Sequence, residues 1–141
     1  MILKLFGAVT LLACGAAYSR AAQRAARAEL EETERALSLF TRIKSEISDF
    51  RTPLWEILSK NGVSCGLDGY VDSLSPPLAE LISEAKKLGK GYSSEELRLC
   101  DGIVRRLEER QKRLKEKARE VSALSRVKGY GTAVAVIILL L

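Results

Sequence analysis

The chain contains no histidine, and this absence excludes several kinds of active site at once. Ser-His and Cys-His nucleophile pairs need an imidazole as the general base, and many zinc sites use it as a ligand. The three cysteines, Cys14, Cys65 and Cys100, are far apart and form no Cys-x-x-Cys pair. We therefore expect neither a zinc site nor a disulfide framework. The cysteines are expected to be free thiols in a reducing compartment.

Aromatic residues are scarce, at 6%, and no alternating run of Val, Ile and Thr indicates a β-strand. Ala, Leu, Glu, Lys and Arg dominate instead, and these residues favour helix. The glycine motifs GKGY (89–92) and GYG (129–131) lack the spacing of a phosphate loop. The sequence thus predicts an all-α protein, without catalytic residues, cofactor, metal or small-molecule substrate.

The chain also lacks a long stretch of purely basic residues, because its most basic segment contains acidic residues as well. The net charge is +5, but residues 105–120, RRLEERQKRLKEKARE, alternate in sign as on a solvated helix face. A nucleic-acid arm would have a one-signed stripe, so we expect no nucleic acid as a partner. A soluble basic coiled coil that binds nucleic acid is kept as an alternative, and membrane fractionation tests it.

Long apolar runs are short of a full membrane span. Residues 5–19 and 129–141 lack any charge, but neither run reaches the ~18–20 residues of a spanning helix. Their Val, Ile and Leu content nevertheless favours insertion, since a thickness mismatch has a small cost. We therefore predict membrane segments at 1–19 and 128–141 and a helical domain at 20–127.

Basic residues flank the two apolar ends on their domain side. The positive-inside rule then predicts that the central domain is cytoplasmic and that both termini lie outside. The residues are Arg20, Arg24, Arg27, Arg126 and Lys128.

The helix pattern begins with one long amphipathic helix over residues 19–50, continuous with the first apolar segment. Its predicted core residues are Leu30, Leu37, Phe40, Ile43, Ile47 and Phe50. The helix ends at Thr52-Pro53, a good N-cap and first residue for a short helix to Leu58. Residues 61–62 and 66–69 are predicted loops, and a third helix is expected from Ser75 to Leu88.

The last helix begins at a predicted capping box, Ser93 with Glu96. Its seam of alternating three- and four-residue steps contains one polar residue, Gln111, which fixes register. The seam is Leu97, Cys100, Val104, Leu107, Gln111, Leu114, Ala118 and Val121. Two long helices of nearly equal length predict an antiparallel helical bundle with short apolar membrane helices at both termini.

The turn between the long helices is the predicted binding end, because it lies away from the apolar tails. Trp55 is the only tryptophan, a residue type enriched at binding hot spots. We expect its ring to close the core against Phe50 and Leu81, with exposed residues around it available to a partner. The predicted partner-binding residues are Thr52, Pro53, Trp55, Lys60 and Asp68.

A second alternative comes from LLAC, residues 11–14, which is similar to the signal box of a bacterial lipoprotein. The arginines that follow Cys14 would hinder export, so we interpret the cysteine as a small residue of a membrane helix. Detection of a lipidated Cys14 by mass spectrometry would decide for the lipoprotein.

The order of these features resembles that of the stage III sporulation protein AB family. The resemblance rests on MILKLFGAVTLLACGAAYSR, on TPLWEIL after the first long helix, and on KGYGTAVAVIILLL at the end. It covers about half of the chain, and residues 61–92 match only loosely and look shorter than is usual for the family.

The resemblance implies a non-enzymatic protein of the mother-cell membrane facing the forespore, within a secretion-like channel complex. Its soluble domain would be similar to the cytosolic domain of the type II secretion inner-membrane platform protein. The implied role is a scaffold that couples an ATPase, sporulation protein AA, to the membrane components of the complex.

Overall fold

The computed structural model describes residues 2–50, 53–90 and 93–140, and no strand occurs in these ranges. The helices are α1 (Ile2–Phe50), α2 (Leu54–Lys60), α3 (Gly66–Ser73), α4 (Pro76–Leu81), a 3₁₀ helix (Ser83–Lys87) and α5 (Ser93–Leu140). The predicted all-α class is confirmed, as is the continuity of the first long helix with the apolar segment before it. Among the described residues, no helix has the length and apolar character needed to cross a membrane.

The chain divides into two compact units. Unit 1 comprises Met1–Leu30 and Arg113–Leu141, and unit 2 comprises Glu31–Lys112. In unit 2, Gln111 Nε2 donates to Glu34 Oε1 at 3.0 Å, and Lys44 forms an ion pair with Asp101. Residues of α1 and α5 are therefore joined in opposite sequence order within this unit.

Unit 1 has the same reversed order of contacts. Gln23 Nε2 donates to Ser125 Oγ at 2.9 Å, and Lys117 Nζ lies 3.8 Å from Glu29 Oε2. Small side chains flank these pairs, because Ala22 and Ala26 are half-buried on α1 and Ser122 on α5. Such residues allow two helix backbones to approach closely.

The hydrophobic core lies in unit 2. Its α1 stripe includes Phe40, Ile43 and Ile47, as the sequence predicts. Thr33, Ala36 and Leu39 are also buried, whereas Leu30 and Leu37 are half-buried. The whole cluster is Ala36, Leu39, Phe40, Ile43, Ile47, Ile57, Leu58, Leu67, Val71, Leu78, Ile82, Ala85, Leu88, Cys100, Ile103 and Leu107.

The predicted seam of α5 is correct only in part. Cys100, Leu107 and Leu114 are buried, but Ile103 is fully buried outside the predicted seam, and Val104 is half-buried. A strict heptad describes two helices in contact, whereas α5 in unit 2 also packs in a cluster with the short helices. The additional apolar neighbours widen its buried face.

Cys100 behaves as a core residue. Burial raises the pKa of its thiol to about 11, since the thiolate would lose its hydration there. The thiol therefore stays protonated at neutral pH, and Cys14 and Cys65 are the exposed cysteines.

The prediction of a loop at residues 66–69 is wrong, because α3 begins at Gly66. Two glycines weaken a helix by about 1 kcal/mol each. However, Leu67 and Val71 lie one helical turn apart and are both buried. Their burial in the core outweighs the low helix propensity of Gly66 and Gly69.

The predicted third helix starts as expected but is divided. Pro76 and Pro77 open α4 after Ser75, and the 3₁₀ helix follows at Ser83–Lys87. Ile82, Ala85 and Leu88 are buried at three-residue steps, the spacing that aligns side chains on a 3₁₀ helix. The tighter helix therefore keeps all three residues on one face.

Polar contacts join the short helices to the long ones within unit 2. Both carboxylate oxygens of Glu32 accept bonds from Ser75, from its N–H at 2.8 Å and its hydroxyl at 2.6 Å. Glu84 Oε2 lies 3.1 Å from Arg106 Nη1. Ser75 makes no side-chain cap bond to α4. The Glu32 side chain of α1 holds the start of α4 through its two bonds to Ser75.

We expect Leu107→Ala to lower the free energy of unfolding by about 2–5 kcal/mol, because the substitution leaves a cavity in a fully buried site. Leu124→Ala is the matched control, since Leu124 is 55% exposed and its loss should change stability by no more than about 0.5 kcal/mol. Urea unfolding followed by circular dichroism measures both. A loss for Leu107→Ala as small as that of the control would indicate that α5 uses this residue for an intermolecular partner.

Candidate partner-binding site

Unit 2 contains a cavity of about 760 Å³ that combines an apolar lining with charged side chains. We call it the Trp55 groove. Its lining residues are Ile47, Pro53, Leu54, Trp55, Leu58, Leu67, Asp68, Lys86, Leu88, Gly89, Lys90 and Glu96. An apolar concave surface with a few polar groups is the usual form of a binding site.

The start of α2 positions the first part of the groove. Pro53 is the N-cap rather than the first helical residue, and its carbonyl accepts from the N–H of Glu56 at 3.0 Å. Its fixed φ suits this position, and its lack of an N–H costs nothing at a helix start. Thr52, the predicted cap, lies outside the described residues.

The end of α2 is a Schellman motif. Gly62 has φ +74°, and its N–H donates to the Ser59 carbonyl at 3.1 Å. The N–H of Val63 donates to the Leu58 carbonyl at 2.9 Å. Glycine is favoured at this position because an L side chain is strained at positive φ. The predicted break at Asn61-Gly62 is therefore confirmed.

Trp55 is exposed, so the expectation that it closes the core against Phe50 and Leu81 is wrong. The side chain is 71% exposed, whereas Ile57 and Leu58 of the same helix are buried. Trp55 and Ser59 lie four residues apart, on the same outward side of α2. The side chain of Phe50 lies outside the described residues, and Leu81 is half-buried.

Gly89 connects the groove to the beginning of α5. It has φ +87°, and its N–H donates to Glu96 Oε1 at 2.9 Å. A Cβ at this position would lie 3.1 Å from Leu54 Cδ2. Glycine is therefore favoured here by the backbone conformation, and an added Cβ would also press on the end of the Leu54 side chain.

Glu96 was predicted to form a capping box with Ser93. The carboxylate of Glu96 accepts from the N–H of Gly89. The Ser93 side chain lies outside the described residues, so the capping box stays a prediction. A carboxylate near a helix N-terminus still complements the helix dipole. The bond also fixes the wall of the groove that Leu88, Gly89 and Lys90 form.

Ion pairs hold several charges around the groove. Lys86 Nζ lies 2.6 Å from Asp72 Oδ1, and the hydrogen bond to Asp72 raises the pKa of Lys86. Lys60 Nζ lies 3.0 Å from Glu56 Oε1, which raises the pKa of Lys60 in the same way. Both ammonium groups stay charged at neutral pH and are exposed to a charged partner.

Three of the predicted site residues come together. Pro53, Trp55 and Asp68 line the groove, but Lys60 does not. The sequence placed the helix with Leu54 at the binding end, but the predicted contacts left out the apolar lining, because its burial depends on tertiary packing. The glycine at position 89 was a usable signal, since a helix stop before Lys90 predicts a chain reversal there.

Comparisons with protein families, with curated proteins and with solved structures give no match to this chain.

Gly89→Ala should lower the free energy of unfolding by about 1–2 kcal/mol, the cost of a left-handed conformation for an L residue, plus the contact with Leu54. The matched control is Gly102→Ala inside α5. A Cβ there meets nothing within 4 Å, so alanine should raise stability by about 0.5–1 kcal/mol. Thermal unfolding of both variants measures the expected loss of stability for Gly89→Ala and the expected gain for Gly102→Ala. An unchanged Gly89→Ala protein would contradict the groove geometry.

Proposed function

We propose that the chain is a non-enzymatic membrane platform of a sporulation channel complex between mother cell and forespore. In this role it couples a cytoplasmic ATPase, sporulation protein AA, to other stage III membrane components. The proposed arrangement is an antiparallel helical bundle with its central domain in the cytoplasm and its short apolar ends in the mother-cell membrane.

The observation that supports this proposal most is the exposed apolar surface at both ends of unit 1. Phe6 is 76% exposed, Leu11 60%, Val134 53% and Ile138 68%. Exposed apolar patches of this kind mark protein or membrane interaction sites. Unit 2, in contrast, buries its large aliphatic residues in its own core.

The Trp55 groove is the proposed contact for the ATPase. Trp55 is the only member of its α2 face with a large apolar surface, and exposed tryptophan is frequent at interface hot spots. Asp68, Lys86 and Lys90 beside it provide charges of both signs that orient a protein partner. Lys60, outside the groove, stays a predicted contact.

Trp55→Ala should weaken binding of the purified ATPase to the full-length chain by at least about 30-fold, the effect of losing a hot spot of ~2 kcal/mol. Tyr18→Ala is the matched control, because Tyr18 is an aromatic side chain of unit 1 with 80% exposure. Binding is measured with both variants in detergent, and circular dichroism checks that helical content is unchanged.

The opposite result would contradict the proposal. If Tyr18→Ala or changes at Arg20, Arg24 and Arg27 abolished ATPase binding while Trp55→Ala left it intact, unit 1 would be the contact. The ATPase would then bind the part of the chain that we assign to the membrane side.

A further inference from the structure

The charges of the chain are divided unevenly between its two units. Unit 1 has ten Lys and Arg residues against three Asp and Glu, a net charge of +7. Unit 2 has thirteen against fifteen, a net charge of −2. The basic character of the protein therefore belongs to the unit that also exposes the apolar ends.

On α1, apolar and basic residues of unit 1 share one face. They recur at steps of three, four or seven residues, the spacing of neighbours on one side of a helix. The face is Phe6, Val9, Ala13, Arg20, Arg24 and Arg27, all exposed. Among the described residues, no ion pair involves the three arginines, so their charge is available to a ligand.

On α5, a second exposed apolar stripe follows the basic residues. Leu124, Val127, Val134 and Ile138 are 53% to 71% exposed. Together with Gly131 they recur at three- and four-residue steps and lie on one face. Lys128 is exposed beside the stripe, and Lys115, Lys117 and Arg119 precede it.

The basic residues of the two helices lie at the same level of unit 1. The hydrogen bond from Gln23 to Ser125 joins the two helices. On α1 it lies between Arg20 and Arg24, and on α5 it lies three residues before Lys128. Along both helices, the exposed apolar residues lie on the terminal side of this bond, except Leu124, which directly precedes Ser125. Unit 1 therefore has an apolar part with basic residues at its border.

We propose that unit 1 binds an anionic lipid surface, with Arg20, Arg24, Arg27 and Lys128 contacting headgroup phosphates and the apolar stripes entering the acyl region. This inference rests on the membrane attachment proposed above and adds the lipid charge that it requires. Basic residues near a membrane surface are worth about 1 kcal/mol each with anionic lipids.

The surface of unit 1 is less suited to two other partners, a second copy of the chain and nucleic acid. A second copy would bring another +7 unit against the first, and like charges repel. Nucleic acid would match the arginines but would leave the apolar stripes in water, since its contacts are chiefly with phosphates. An anionic bilayer provides a partner for both parts of the surface.

The test is sedimentation of the full-length chain, diluted from mild detergent, with vesicles of phosphatidylcholine alone or with added phosphatidylglycerol. We expect tighter binding to the phosphatidylglycerol vesicles and a loss of this preference at high salt, which screens the charges. The triple substitution Arg20→Gln, Arg24→Gln, Arg27→Gln should weaken that binding by about 100-fold, from ~1 kcal/mol per arginine.

The matched control removes three exposed charges from unit 2 that lie outside the Trp55 groove, by Lys87→Gln, Arg98→Gln and Arg105→Gln. It should leave vesicle binding within about twofold of the original chain, because only charges near the surface contribute. Equal binding to both kinds of vesicle, or equal effects of the two triple variants, would overturn the proposal. So would a stable dimer that forms without lipid and is lost on Leu124→Ala.

Failure of this test is separate from failure of the proposed function. ATPase binding through the Trp55 groove is measured in detergent and does not depend on headgroup charge. A protein that binds the ATPase but shows no preference for phosphatidylglycerol would keep the platform role and lose the lipid inference.

Discussion

The packing of α1 against α5 in unit 2 is the interaction on which the other features of this unit depend. Phe40 and Ile43 on α1, with Ile103 and Leu107 on α5, are fully buried. The short helices between them have five to eight residues and would be marginal alone, since isolated helices of that length are unstable in water. They persist because Leu78 and Ile82 join the same cluster. The Trp55 groove exists only where these helices are held in place.

The same two helices provide apolar surface of a second kind in unit 1. There the contacts use small and polar side chains, such as Ala22, Ala26 and the Gln23–Ser125 bond, while described aliphatic side chains such as Leu11 and Ile138 are exposed. Water would not favour this arrangement, because exposed apolar area is costly. A lipid environment removes the cost, and the net charge of +7 on this unit suits anionic headgroups.

Periodicity predicted the long helices well, because each has many turns of consistent pattern. Phe40, Ile43 and Ile47 could be placed in the core from spacing alone, and Pro53 and Gly62 marked real boundaries. The helix at 66–73 could not be predicted, since it is short and its two glycines oppose helix unless tertiary burial compensates. The start of the next helix at Ser75 was predicted, but its division into α4 and a 3₁₀ helix was not. Trp55 was misplaced for a related reason. A large aromatic side chain is expected to be buried. Which side of α2 faces the core, however, depends on where Leu54 and Ile57 pack against the rest of unit 2.

We propose that lipid covers the apolar surface of unit 1 while Trp55 stays outside the bilayer. Trp55 is the only tryptophan, so its fluorescence reports one position. In anionic vesicles with brominated acyl chains, we expect no quenching of native Trp55. The double variant Trp55→Phe, Leu12→Trp should be strongly quenched, because Leu12 belongs to the exposed apolar part of unit 1. Quenching of native Trp55, or an unquenched Leu12→Trp variant on vesicle-bound protein, would contradict this placement of the two units' surfaces.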